Sequence, residues 1–115
     1  MEDRSYTVYF LADSKGEIQY VGRVTDEGYD ARMNFHWRTK KLKPAYHIQG
    51  LTRAQARGLE EMGMLQCHTI KKGSDINNKI HGISLKNTQR DYYMIEAEKY
   101  LLNRVSNTLL NIFNP

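Results

Sequence analysis

The sequence predicts an α+β fold: a small central antiparallel β-sheet, opened by an N-terminal β-hairpin and flanked by helices. Three observations lead there. Two runs rich in aromatic and β-branched residues, Tyr6 to Leu11 and Ile18 to Val24, flank the polar turn Asp13-Ser14-Lys15-Gly16-Glu17. Thr52 and Gln55 form a capping box at the head of a helix. The last quarter of the chain repeats apolar residues at helical spacing.

The elements follow in order. Thr25 to Tyr29, with Gly28, reads as a loop, and Asp30 as the N-cap of a helix reaching about Lys40. Arg38, Lys40, Lys41 and Lys43 make a basic run that Pro44 ends, and Tyr46 to Gln49 reads as a short third strand. Leu51 and Ala56 fit a hydrophobic staple around the capping box. That helix is expected to run to about His68, with Leu59, Met62 and Leu65 near one face. Gly73-Ser74-Asp75 marks a loop, and Asn78 to Ser84 is irregular or briefly extended. Asn87 or Thr88 caps a last helix, roughly 88 to 112, with the stripe Tyr93, Ala97, Leu101, Val105, Leu109 and Ile112.

With 115 residues, 40% of them hydrophobic, and neither repeat nor linker, the chain 1–115 reads as one domain. A net charge of +4 leans toward polyanions such as nucleic acid. The single Cys67 excludes a disulfide framework and a cysteine-built zinc site. No apolar run approaches the ~20 residues of a membrane span. The polar opening Met1 to Ser5 lacks a signal-peptide core. That fits either a cytoplasmic protein or the catalytic piece of a larger exported one.

Breaking a phosphodiester requires neutralised phosphoryl oxygens, an oriented or deprotonated water, and a stabilised leaving oxygen. Magnesium is held by oxygen ligands, often with a single protein carboxylate and water or phosphate for the rest. Glu60, mid-helix in Gly58-Leu59-Glu60-Glu61-Met62, is the candidate carboxylate. Arg32 and His36 are four apart on one helix face, so a fork of donors and a proton carrier converge. Tyr9 and Tyr20 lie on paired strands, where a metal or guanidinium could lower a phenol's pKa. Gly22 allows close approach of substrate, and Arg23 could hold a flanking phosphate. Asn77 or Asn78 could bond either structure or substrate. Each residue also has an ordinary explanation: a solvated helical Glu, a surface Arg and His, packed sheet tyrosines. Trp37 reads as core packing, with base stacking as the other use of its ring. His47, His68 and His81 read as non-catalytic.

Taken together these residues resemble the GIY-YIG nuclease family. Thr7-Val8-Tyr9 stands for the first motif, with Thr7 in place of its leading Gly, and Tyr20-Val21-Gly22 for the second. Arg32 to His36, Leu59-Glu60 and Asn78 follow in the family's order, over roughly residues 6 to 84. The stretches 51–60 and 78–84 are most similar to nuclease domains at the C-termini of bacterial polymorphic toxins, Rhs-type or contact-dependent. The resemblance implies a DNA endonuclease that holds one Mg2+ (or Mn2+) on Glu60. It implies Tyr9 as base or water-positioner assisted by His36, Arg32 on the phosphoryl charge, and Tyr20 orienting the phosphate. Arg23, Arg32, Asn78, Lys40 and Lys41 are the implied substrate contacts. A toxin further implies a cognate immunity protein, secretion, and action in the target-cell cytoplasm. RNA cleavage by the same fold and a non-catalytic nucleic-acid-binding module are the competing readings.

Overall fold

The structure of the chain, a computed structural model, describes the backbone of residues 4–113 and the side chains of residues 4–105 and 107. It is α+β, with a three-stranded antiparallel sheet and three α-helices. β1 (Tyr6–Ala12) pairs with β2 (Ile18–Thr25), setting Tyr9 opposite Gly22 and Leu11 opposite Tyr20. Asp13 closes the hairpin. Its Oδ1 accepts from the Lys15 and Glu17 N–H groups at 2.9 and 3.0 Å, and Gly16 adopts the φ of +83° that the turn requires.

β3 (Lys43–Leu51) lies on the other side of β1, so the order is β2-β1-β3. It is longer than the predicted Tyr46 to Gln49. Pro44 looks like a break in the sequence, but an edge strand tolerates a missing N–H, and the register slips between Phe10 and Leu11 beside it. Alternation along the central strand divides the core. Val8 packs with Val21, Leu51, Ala56, Leu59 and Met64 on one face. Tyr9 and Leu11 pack with Leu42, Tyr20, Tyr29 and Met33 on the other.

α1 (Tyr29–Lys40) covers that second face. It does not begin with an Asp30 cap. Residues 26–28 form a 3-10 turn in which the Thr25 hydroxyl accepts from the Gly28 N–H, and Gly28 then precedes the first helical residue. The Asp26 carboxylate clamps this turn to the sheet by accepting from the Ser5 and Thr7 hydroxyls, both at 2.5 Å, and from the Gly50 N–H.

α2 (Arg53–Gln66) covers the first face, and its capping box is as predicted: Gln55 N–H donates to the Thr52 hydroxyl at 3.1 Å and Thr52 N–H to Gln55 Oε1 at 3.0 Å. The helix ends two residues before His68. Leu65 is exposed rather than part of the apolar face, while Ala56, Leu59, Glu60, Glu61 and Met64 are all buried. α2 is buried nearly all round because α3 (Arg90–Phe113) lies against its other side. The last helix starts after Asn87, whose Oδ1 accepts from the Gln89 N–H at 2.8 Å. Tyr93 and Ala97 of its predicted stripe meet α2, but Leu101 and Val105 are exposed, since the 24-residue helix outruns the 14-residue one. Leu109 and Ile112 fall outside the described side chains. Among the described residues no helix is long and apolar enough to cross a membrane.

The two helices approach closely at Gly58, where a Cβ would collide with the Tyr93 carbonyl and sit 2.7 Å from the Ala97 Cβ. Gly58→Ala is expected to lower stability by about 1–3 kcal/mol despite its better helix propensity, measured as the urea midpoint.

Candidate functional site

The functional side chains gather along the edge strand β2. On the α1 side, the Tyr9 and Tyr20 rings stack at 6.3 Å with 16° between planes. Tyr9 reaches this edge only because Gly22 opposite it has no side chain; a Cβ there would strike the phenol oxygen. The Tyr9 hydroxyl lies 2.9 Å from His36 Nε2, and the His36 ring is 4.8 Å from that of Tyr20. Arg32, one turn before His36 on α1, bears on Tyr9 through its charge and as a hydrogen-bond donor. On the α2 side, Arg23 is paired with Glu60 through Nη1 and Oε1, and also donates to the Gly82 carbonyl at 3.4 Å. A cleft of about 570 Å³ joins the two sides, lined by Tyr9, Tyr20, Gly22, Arg23, Arg32, Lys40 and Glu60 with Lys79, Ile80, His81 and Gly82. His36 stands behind Tyr9 rather than in the lining. Lys41 falls outside the cleft and lines a neighbouring groove.

Burial pushes the Tyr9 phenol well up, and the neighbouring Tyr20 adds to this. Arg32 pulls the other way, as the sequence suggested a guanidinium would, but burial outweighs it. Tyr9 is therefore a neutral phenol at pH 7, not a phenolate. Burial also pushes His36 down to about 4, reinforced by Lys40 and Arg32, so its imidazole is neutral. A neutral imidazole can accept the Tyr9 proton on Nε2. Its Nδ1 is buried without a hydrogen-bond partner among the described residues.

Burial raises the Glu60 carboxyl, against the charge and hydrogen bond of Arg23. The residue is 6% exposed, and its Oε2 accepts no hydrogen bond among the described residues. A buried carboxylate in a polar cleft that two tyrosines also line fits one hard divalent cation that would keep water and phosphate as its other ligands. Among the described residues no three His, Cys, Asp or Glu side chains cluster as an all-protein metal cage.

Both candidate asparagines bond to the edge of β2. Asn78 Oδ1 accepts from the Val21 N–H and the Thr69 hydroxyl at 2.9 and 2.7 Å, and its Nδ2 donates to the Val21 carbonyl at 2.8 Å. Asn77 Nδ2 donates to the Gln19 carbonyl and Oε1, and its Oδ1 accepts from Ser74. Asn78 thus holds the site together, and the predicted substrate contact has little donor capacity left to make it. Arg23, predicted to hold a phosphate, lines the cleft with its Nη1 engaged by Glu60.

Two residues escaped the sequence reading. Glu61 is fully buried and accepts from Gly82 N–H at 2.9 Å, while its other oxygen meets His81 Nδ1 at 2.7 Å and Arg90 Nη1 at 2.8 Å. Burial opposes its charge, but the His81 and Arg90 contacts outweigh burial and hold the carboxyl below the usual range. His81, set aside as a scattered histidine, is thereby fixed in the cleft wall. Its partner lies 20 residues away, a separation that no periodicity signals. No family model, curated protein or solved structure matches the chain.

Asn78→Ala is expected to cost about 2–3 kcal/mol in urea unfolding and to raise hydrogen exchange across residues 69–84, because it orphans Val21 and Thr69. His36 is neutral in the fold and titrates near 6.5 when unfolded, so its contribution is complete above pH 6.5 and fades as pH falls toward 4. Between pH 7 and 5 this amounts to about 2 kcal/mol. Glu60, raised in the fold, opposes the trend, whereas Glu61 loses its contribution only at lower pH. Urea midpoints of the wild type and His36→Gln at both pH values check this: the variant's midpoint is expected to change less.

Proposed function

We propose that the chain is a divalent-metal-dependent DNA endonuclease of the GIY-YIG kind. The supporting observation is the convergence of Tyr9, Tyr20, Arg32 and Glu60 on one cleft, with His36 directly behind Tyr9. Arg32 forms no ion pair with an acid among the described residues, which leaves its fork available for phosphoryl oxygens. Glu60 holds one Mg2+ or Mn2+, and Arg23 offsets the carboxylate's burial. When bound, the ion supplies positive charge against the phosphate.

Tyr9 orients the attacking water. As the water oxygen bonds to phosphorus, its proton passes to the Tyr9 oxygen while the Tyr9 proton passes to His36 Nε2. The phosphorus–O3′ bond breaks, and the departing oxygen takes a proton from solvent, leaving a 3′-hydroxyl and a 5′-phosphate. Tyr20, stacked on Tyr9, fixes the phenol's position, and Lys40 and Lys79 add positive charge at the mouth. The similarity of stretches 51–60 and 78–84 to polymorphic-toxin nucleases supports an antibacterial effector, delivered to a target cell's cytoplasm and neutralised in its producer by an immunity protein.

Supercoiled plasmid, linear duplex, single-stranded DNA and RNA, each incubated with magnesium, test the proposal. Cutting of DNA is expected, abolished by chelator and reduced roughly 10²-fold or more by Glu60→Gln. Tyr9→Phe is expected to lose a similar factor, and His36→Ala to slow turnover with DNA affinity nearly intact. Cleavage that survives both chelator and Glu60→Gln removes the metal role of Glu60, and cleavage of RNA alone replaces the substrate.

A further inference from the structure

A second groove, also about 570 Å³, opens beside the first, and Lys40 lines both. Its floor is Ala12, Leu42 and Ile76, and Trp37 stands in its wall. Trp37 is not the core residue its composition suggests: the side chain is 44% exposed. Lys41 Nζ and Lys43 Nζ each lie 5.1 Å from its ring centroid, and Lys40 Nζ lies 4.8 Å from that of Tyr20. Asp13 is the one acid among the described residues lining this groove, and the ammonium groups of Lys40, Lys41 and Lys43 outweigh its single negative charge.

An exposed indole ringed by ammonium groups matches one chemistry closely: a flat, uncharged ring carried between negative charges. A nucleobase with its flanking phosphates has that form. Arg32 and Trp37 are five residues apart on α1, about 7.5 Å along its axis. A strand with one phosphate against Arg32 therefore reaches the second groove by crossing Lys40. Bases inside a duplex have both faces covered, so only an unpaired base can lie on Trp37.

We infer that the Trp37 groove is a stacking site for an unpaired base of the DNA strand held in the adjacent cleft, with Lys41 and Lys43 moving from the indole to the flanking phosphates. This rests on the nuclease reading and adds to it a preference for single-stranded or locally opened DNA.

Trp37 is the sole tryptophan of the chain, so its fluorescence reports the groove directly. With chelator present to stop cleavage, the protein is titrated with a short single-stranded DNA, an abasic strand of equal length, a blunt duplex and a single-stranded RNA. Affinities are read separately from the anisotropy of labelled strands. The single-stranded DNA is expected to quench Trp37 strongly, and the abasic strand and duplex weakly. Trp37→Leu is expected to weaken single-stranded DNA binding at least about fivefold while leaving abasic binding and the urea midpoint unchanged. Equal quenching by the abasic strand, unchanged affinity in Trp37→Leu, or quenching by RNA but not DNA overturns the site. If wild-type protein with magnesium cuts no nucleic acid while the DNA strand still quenches, the nuclease reading falls and the stacking site stands.

Discussion

Two consecutive carboxylates inside a helix that is covered on both sides constrain the whole half of the molecule that carries the cleft. Glu60 and Glu61 sit where α2 is pressed between the sheet and α3, and an isolated charge there is costly. Each acid recruits its own compensation in a different direction. Glu61 takes backbone N–H, imidazole and guanidinium groups from the loop after Ile80 and the start of α3, pinning that loop against the helix. Glu60 takes Arg23 from β2. The wall of the cleft follows from these two solutions.

The opposite wall is built on different physics. Tyr9, Tyr20 and His36 are uncharged at neutral pH and are held by ring packing and one hydrogen bond. Burial that disfavours ionisation keeps them neutral, so the cleft sets neutral rings against a carboxylate–guanidinium pair. The two walls lie on opposite faces of the sheet and meet only at its edge, where Gly22 lets one phenol cross β2 and the next residue, Arg23, points the other way. Strand alternation delivers both from adjacent positions.

What was legible in the sequence was local. The hairpin, the Thr52–Gln55 cap and the Arg32–His36 face depend on residues within one or two turns, and the structure contains all three. Tyr9, Tyr20, Arg32 and Glu60 could be chosen by type and spacing, although spacing could not say that they meet. The misses are non-local or arise from mutual packing. Glu61 with His81, and Asn78 with Val21, pair across separations of 20 and 57 residues. Leu65, Leu101 and Val105 fit a helical stripe but lie where no surface buries them. Trp37 reads as core by its nature, yet it is exposed and lines an open groove beside the end of α1.

The anchoring of residues 77 and 78 to β2 also governs when the cluster comes into being. The hairpin and α1 assemble both phenols, the imidazole and Arg32 from the first forty residues, across separations of up to 27 residues. The carboxylate joins across 37 residues through Arg23, and its neighbouring loop across 57 through Val21 and Asn78. A chain stopped short of that closure carries the aromatic wall without the carboxylate wall opposite it. The cleft therefore exists only in the finished fold, and whatever loosens the 77–78 anchor takes the cleft apart before it unfolds the hairpin.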